Sequence, residues 1–421
     1  MAQPQLGRGR DAVAVIGAGI VGVSAALWLQ RAGARVVLID RDAPGQGASF
    51  GNAGLLAACA MVPVTEPGIL RKAPGMALRR DSPLFLRWWY LPRMLPWLAR
   101  YLRHATDAET RRIAAALAPL VTDSVDQHTA LASGTGAERW LVESEYSFAY
   151  GDRAAFDADA YGWALRAEHG FAPVLREGDA VRAHEPALAS DVGLLASVPG
   201  HGYVRDPGGY VADLAAAFEA EGGTIRRATV RDFELRGGRV AAVLTDARRI
   251  ECEACVLATG AFSRPLMDKL GIRVPLESER GYHIVFRVGQ GGPRAPVMVA
   301  DGKFVVTPMA DGVRCAGLVE FGGTTAGPSR APLDFLRRRA AAAFPQLRGG
   351  EVIEWMGHRP ALNDSLPAIG EAGATGVFAA FGHHHVGLTG GPKTGRLVAD
   401  LIAGTRPNLD LAPYDPNRFA R

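Results

Sequence analysis

Cysteine is scarce in this chain: four among 421 residues, too few for a disulfide framework and in keeping with a reducing compartment. Cys252 and Cys255 have Cys-x-x-Cys spacing, but they lie in Glu251-Cys-Glu-Ala-Cys-Val-Leu-Ala, which reads as a strand. A redox Cys-x-x-Cys opens a helix, and no second pair is present to complete a zinc site. Both thiols are therefore expected to be structural, and Cys59 and Cys315 to be packed. An excess of charge of one sign is also missing. Lys and Arg number 47 against 43 Asp and Glu, a net charge of +4. No basic run interleaved with aromatics occurs, so nucleic acid is not an expected partner. No stretch reaches the roughly 20 uninterrupted apolar residues of a membrane-spanning helix. Met1–Arg10 is polar and Gly-rich without an apolar core, so it does not read as a signal peptide. These absences predict a soluble, cytoplasmic protein, long enough for two domains with substantial cores.

What is present is a Gly-rich turn. Val13-Ala-Val-Ile-Gly17-Ala-Gly19-Ile20-Val21-Gly22 follows an apolar strand and opens an apolar helix, and Asp40 ends the next strand. Gly17 allows the tight turn, Gly19 lets backbone approach a pyrophosphate, and Gly22 lets the helix pack closely on the strand. The helix N-terminus, with Ile20 and Val21 in its first turn, directs unpaired N–H groups at the phosphates. Asp40 is placed to accept hydrogen bonds from ribose hydroxyls, with Arg41 beside it. The pattern predicts a dinucleotide site.

Residues 12–40 read as one βαβ unit, followed by a Gly-rich loop from Arg41 to Gly54. Residues 84–104 are aromatic and basic, and Pro92 and Pro96 are expected to break them into short helices; residues 106–135 read as a longer helix. An Ala-rich helix over 208–222, a strand over 224–229, a hairpin around Gly237-Gly238 and a strand over 254–257 follow. Residues 281–321 alternate strongly, as antiparallel strands with one buried face do. A helix over 332–344, a strand within 376–382 and a helix from Pro392 to about Ala403 complete the pattern. The predicted fold is α/β: a Rossmann-like nucleotide domain, discontinuous over 11–83, 196–275 and 350–421, with an inserted substrate domain built on an antiparallel sheet over 84–195 and 276–349. An NAD dehydrogenase would bring further parallel strands promptly after the first unit. Here they come near residue 254 and at the C-terminal end, which suits the longer FAD.

Several of these segments carry a resemblance. They are Val15-Ile-Gly-Ala-Gly-Ile-Val-Gly22, Ser49-Phe-Gly-Asn52-Ala53-Gly54, Asp206-Pro207-Gly-Gly-Tyr210, Leu257-Ala-Thr-Gly260-Ala261, Glu279-Arg-Gly-Tyr282-His283 and Gly357-His-Arg359-Pro360. Asp364-Ser-Leu-Pro-Ala-Ile-Gly370 and the stretch from Gly382-His383 through Thr389 to Gly395 follow in the same order. With them the chain resembles, over nearly its whole length, the FAD-dependent D-amino-acid oxidase superfamily, whose nucleotide domain is glutathione-reductase-like. Within it, the chain is similar to the bacterial D-amino-acid dehydrogenase branch, including the D-hydroxyproline dehydrogenases. The resemblance implies that Ser49, Asn52, Ala53, Gly54 and Leu55 line the pyrophosphate and flavin. Val230 would hold the adenine through its backbone, and Ala258, Thr259 and Gly260 would close over the nucleotide. Gly387, Leu388 and Thr389 would meet the flavin pyrimidine edge, with the helix from Pro392 directing its dipole there.

For the substrate, the resemblance implies that Arg359 binds an α-carboxylate in bidentate fashion. Of Tyr282 and His283, neighbours on a strand, one should face the pocket, and Tyr282 is favoured. His385 would lie near the substrate, and His383 would pack beside the loop. No metal is expected, because three consecutive histidines cannot all reach one ion and no carboxylate or cysteine is near in sequence. Two departures stand out. Phe304 occupies the strand leading to Pro308 in which oxidases of the superfamily often carry a substrate tyrosine, so a second carboxylate contact must come from elsewhere. No cysteine occurs from Glu354 to Arg421 to attach a flavin, so the FAD is expected to be non-covalent.

The implied reaction is oxidative deamination of a D-amino acid, with hydride transfer from the α-carbon to flavin N5. The imino acid hydrolyses to a 2-oxo acid and ammonia; a cyclic imine from D-proline or D-hydroxyproline would persist. Such chemistry demands orientation and a neutral amine more than an acid/base pair. The implied electron acceptor is a membrane quinone or a protein or artificial acceptor, with slow reaction with oxygen as a further route. Residues 84–104 read either as a cap over the site or as a membrane-surface patch in which Arg87, Arg93, Arg100 and Arg103 meet anionic head groups, placing the protein peripherally on the inner membrane. A sarcosine-type secondary-amine oxidase and a flavoprotein subunit of a multi-subunit amino-acid dehydrogenase are the alternatives.

Overall fold

An unbroken apolar run, Ala12–Ile16, forms β1 near the middle of a six-stranded sheet, as a strand covered on both faces requires. The computed structural model describes residues 12–69, 75, 82–287, 291–349 and 351–420; Met1–Arg10, and with it the signal-peptide reading, lies outside them. β2 (Arg35–Asp40) and the strand Ala254–Leu257 flank β1 in parallel. Thr224–Arg227 extends the sheet beyond β2, and Val377–Phe381 and the antiparallel edge strand Ala368–Glu371 extend it on the other side. Between β1 and β2 runs α1 (Ile20–Arg31), which is buried around most of its surface. It packs on the sheet beside the helix Gly391–Ile402, and a Cβ on Gly395 would stand 2.6 Å from the Ala25 backbone nitrogen. The expected hairpin is the ladder of Val230–Arg236 with Arg239–Thr245, to which Arg249–Glu251 adds.

The alternating residues form the centre of a ten-stranded sheet. Leu276–Arg287 pairs antiparallel with both Glu351–Leu362 and Gly312–Phe321, and Phe304–Met309 and Val297–Val299 follow. A parallel join to Leu141–Tyr150 leads to Leu194–Val204 and Leu55–Leu56. A second parallel join sets Leu84–Leu86 against Gly312–Phe321, so the sheet is antiparallel with two exceptions. Helix Arg330–Ala343 packs its apolar side on the face bearing Tyr282, Ile284 and Phe286. Sheet membership redraws the expected boundaries. Residues 196–204 and 351–362, expected in the nucleotide domain, pair in the larger sheet.

Three local expectations are corrected. Residues 91–103 form one helix rather than fragments. Pro92 sits in its first turn, where a missing N–H goes unused, and burial of Met94, Trp97 and Tyr101 holds the helix together through Pro96. Residues 106–135 contain two helices, Asp107–Val121 and Ser124–Ala132. At the break between them, Asp123 takes an ion pair from Lys393 at 2.7 Å. The Cys-x-x-Cys segment is split between two sheets at Cys252-Glu253, and all four cysteines are buried and unbridged.

Alanine at position 395 would raise intrinsic helix propensity by about 1 kcal/mol, yet its methyl group would meet Ala25 backbone. Gly395→Ala is expected to lower unfolding stability in urea by about 1–3 kcal/mol; a variant as stable as the parent would show that the two helices have room to separate.

Candidate active site

The Gly-rich turn is tight for reasons visible in its surroundings. Gly17 has φ +105°, and a Cβ there would lie 2.4 Å from the Ala258 carbonyl oxygen. A Cβ on Gly22 would fall 1.8 Å from the Gly17 carbonyl oxygen, whereas one on Gly19 would meet only the Ser49 hydroxyl. That hydroxyl accepts a hydrogen bond from the Ile20 N–H at 3.0 Å, capping α1. Asp40 accepts from the Ala18 N–H at 2.6 Å and from the Asp42 N–H at 3.0 Å. Asp40 and the Gly-rich turn are thus fastened to each other.

A cavity of about 760 Å³ runs from this turn into the larger sheet, within the ~300–1,000 Å³ of cofactor and ligand sites. At one end lie Asp40, Arg41, Val230, Ala258, Thr259 and Gly260. There the Arg41 guanidinium sits 4.2 Å from the centre of the Phe262 ring. Gly17, Gly19, Ile20, Val21, Ser49 and Asn52 line its middle, and Gly387, Leu388, His385, Tyr282 and Arg359 its other end. The remaining expected residues support this lining. Asn52 accepts from the Gly54 N–H at 2.9 Å, and Thr389 donates to the Leu55 carbonyl at 3.3 Å. Ala53 packs against the cluster of Tyr146 and Phe148. An extended dinucleotide fits this cavity: glycines without room for side chains stand at the phosphate turn, and the N-terminus of α1 opens on its middle.

Arg359 is set by a bulge. The pairing of Leu276–Arg287 with Gly312–Phe321 shifts register between Arg280 and Tyr282, and Leu318 adopts φ +59°. The carbonyls of Leu318 and Gly317 there accept from the Arg359 guanidinium at 2.7 and 3.1 Å. The rest of the planar fork is available to a carboxylate in the cavity. Its cross-strand partner is the buried Glu279, whose Oε1 lies 3.8 Å from His384 Nδ1. Burial pushes the Glu279 carboxyl up, but the His384 hydrogen bond and the charges of His384, Arg359 and His385 outweigh it and hold it down.

The two strand neighbours point to opposite faces, and of the two it is Tyr282 that lines the cavity. Its hydroxyl donates to Glu320 at 2.6 Å and accepts from the Ser329 N–H at 3.0 Å. Its ring continues the apolar period of Ile284 and Phe286 into the core. His283 shares the face of Arg359, donates to the Gly51 carbonyl at 3.0 Å and stacks on Trp355 at 5.1 Å. The three consecutive histidines point to three different places. All three border the cavity, but His383 bonds the Thr394 hydroxyl, His384, at φ +48°, donates to the Leu362 carbonyl, and His385 alone of the three is exposed. His385 is exposed at the cavity wall, and desolvation there, with the charge of His384 beside it, draws its pKa below the usual imidazole range.

Sequence reasoning passed over residues that hold the loops from behind. Buried Arg314 donates to the carbonyls of Phe50 and Asn52 at 3.0 and 2.8 Å. Buried His128 donates to the Leu388 carbonyl at 2.9 Å and accepts from the Tyr210 hydroxyl. Trp355 fills the space that a side chain on Gly51 would need. Each is a single residue in an unremarkable pattern, and no motif marks it. Burial depresses His128 to about 4 and both His283 and His383 to about 3. An unfolded chain, with histidines near 6.5, therefore binds more protons than the folded one between about pH 4 and 6.5. Stability is fully present above that window and is lost as pH falls through it. The urea midpoint is expected to drop from pH 7 to pH 5, and His128→Asn to reduce the drop; a pH-independent midpoint would refute the neutral, buried state of these rings.

Comparison with known proteins agrees with this geometry. Residues 12–401 match the family model described as DAO, FAD dependent oxidoreductase. A D-amino-acid oxidase of Bradyrhizobium diazoefficiens is 41% identical over 415 residues, covering 97% of this chain and 98% of that protein. A D-amino acid dehydrogenase of Rhizobium johnstonii is 31% identical, covering 97% and 99%. Among solved structures, glycine oxidase from Geobacillus kaustophilus has a TM-score of 0.76 at 23% identity over 97% of this chain and 99% of its own. L-proline dehydrogenase from P. horikoshii has 0.73 at 20%, over 97% and 98%. The chain belongs to the DAO family of FAD-dependent oxidoreductases.

Proposed function

We propose that this protein oxidises D-amino acids at a non-covalently held FAD. The observation that carries the reading is the Arg359 guanidinium, fastened by two backbone carbonyls and opening on the same cavity as the phosphate turn. Bound FAD supplies a two-electron acceptor for the hydride that leaves the α-carbon. Arg359 orients the substrate by its carboxylate, and the loops around Asn52 and Leu388 hold the cofactor on the other wall. Neutral His385 adds no positive charge beside the amine, which must be unprotonated for its lone pair to assist the oxidation. The product is an imine, which water converts to a 2-oxo acid and ammonia. Among the described residues no cysteine lines the cavity, which supports non-covalent attachment. The names of the two curated relatives favour D-amino acids over sarcosine-type amines.

A surface feature bears on the electron acceptor. In helix Leu91–Arg103 the aromatics Trp97 and Tyr101 are buried, with Tyr101 stacked on His384, while in the turn Trp88–Tyr90 that precedes it Trp88 and Trp89 are 57% and 65% exposed. Leu95 and the guanidinium groups of Arg93 and Arg100 are exposed beside them. Among the described residues no helix is long and apolar enough to cross a membrane. Exposed indoles beside cations suit peripheral docking on an anionic bilayer, where a quinone would be the acceptor.

Anaerobic mixing with a panel of D- and L-amino acids should bleach the flavin with D-amino acids; bleaching by sarcosine alone would replace the reading by the secondary-amine alternative. Arg359→Ala removes the charged partner of the carboxylate, about 2–5 kcal/mol. Apparent KM is expected to rise roughly 30-fold or more, and an unchanged value would remove Arg359 from its role. Acid precipitation should leave FAD in the supernatant. Co-sedimentation with phosphatidylglycerol vesicles should exceed that with phosphatidylcholine and fall in Trp88→Ser/Trp89→Ser; equal recovery in all three would dismiss the membrane patch.

A further inference from the structure

Two glycines face each other across the strands that carry the site. Gly281 and Gly357 are register partners, flanked by the pairs Glu279 with Arg359 and His283 with Trp355. Neither glycine has a positive φ, so neither is required by its backbone conformation. What excludes a side chain is what lies on them. A Cβ on Gly281 would stand 2.5 Å from Arg359 Cζ, and one on Gly357 would stand 2.0 Å from Trp355 Cη2. The guanidinium is therefore folded flat over one glycine and the indole over the other. Cross-strand Cβ positions are about 4.5–5.5 Å apart, so the two planar groups lie side by side, on the scale that separates an amino acid's carboxylate from the end of its side chain. The indole is only partly buried and borders the cavity, with its ring braced by His283.

We propose that the Gly281–Gly357 pair is a specificity floor: a substrate carboxylate sits on Arg359 over Gly281 while its side chain lies against Trp355 over Gly357, so that D-amino acids with apolar or ring side chains are preferred to acidic ones. The inference rests on the reading of the protein as a D-amino-acid-oxidising enzyme and adds to it the side-chain class. The charges around the floor point the same way. Among the described residues that line the cavity, the other arginines, Arg41 and Arg231, stand at the nucleotide end beside Asp40 and Val230. A second carboxylate on the substrate would lie at the Trp355 end of the floor, where no arginine or lysine lines the cavity among the described residues. Trp355 is here a specificity residue. The glycines are positioning residues that act through the groups lying on them.

The test is anaerobic flavin reduction by D-phenylalanine, D-alanine and D-glutamate in the FAD-loaded parent, Trp355→Leu and Gly281→Ala. The parent should take D-phenylalanine at least tenfold more tightly than D-glutamate. Trp355→Leu should reduce the D-phenylalanine to D-alanine affinity ratio tenfold or more; loss of both substrates by one common factor, or no loss, would overturn the proposal. Gly281→Ala displaces the end of a flexible side chain rather than backbone. It should weaken both substrates at least tenfold with their ratio unchanged, and unchanged affinities would equally overturn the floor. Should Trp355→Leu fail to retain FAD, the parent alone decides through perturbation of its flavin spectrum: 3-phenylpropanoate should bind at least tenfold more tightly than propanoate, and equal binding refutes the indole contact. Failure of all three amino acids to reduce the parent's flavin would instead refute the underlying reading.

Discussion

The close approach of backbone at Gly17 is the constraint on which the rest depends. Where β1 turns into α1, the Ala258 carbonyl lies against Gly17 and the Gly17 carbonyl against Gly22. Three segments far apart in the chain, residues 12–40, 254–260 and 377–395, can share one wall only because nothing protrudes there. The N-terminus of α1 is then exposed to a ligand rather than to a neighbouring side chain, and its first N–H is held in place by Ser49. A dinucleotide gains from this because its charge meets donors that are already oriented, with little left to order on binding.

The second wall is organised by a different device. The larger sheet meets the nucleotide sheet through loops, and buried donors secure those loops from behind. Arg314 holds the loop at Phe50 and Asn52 by two carbonyls, and His128 holds the C-terminal loop by one. Both side chains spend their hydrogen bonds on backbone, which leaves the cavity face of each loop open. The bulge at Leu318 serves the same end on the substrate side, turning two carbonyls onto Arg359 without using up its fork. The site is thus built from loops whose shapes are set by groups outside it, which is how a rigid scaffold carries variable chemistry.

Much of this was legible in the sequence, for a physical reason. Phosphate binding by backbone demands glycine at fixed offsets, and a helix must follow a strand for its N-terminus to be in place. The Gly17 to Gly22 turn, Asp40, and the later Gly-rich turns at 258–260 and 387–391 announce themselves for that reason. The larger sheet was legible from alternation alone. Less legible was anything that depends on which partner a residue meets. Tyr282 and His283 were separable by parity, but which face was inward depended on the apolar period of Ile284 and Phe286 and on the helix Arg330–Ala343 that covers it. Pro96 looked like a break, and burial of Trp97 and Tyr101 overrode it.

The sequence by itself determined the class of cofactor and the α/β architecture, because each of these follows from local geometry repeated in linear order. Only the tertiary structure decided that Arg359 lies over Gly281 and Trp355 over Gly357, that His383 and His384 are tied to Thr394 and Leu362 while His385 is left exposed at the cavity, and that Arg314 and His128 hold the loops. These depend on contacts between residues tens to hundreds of positions apart, and an isolated arginine, histidine or tryptophan carries no sign of the partner that folding will bring to it.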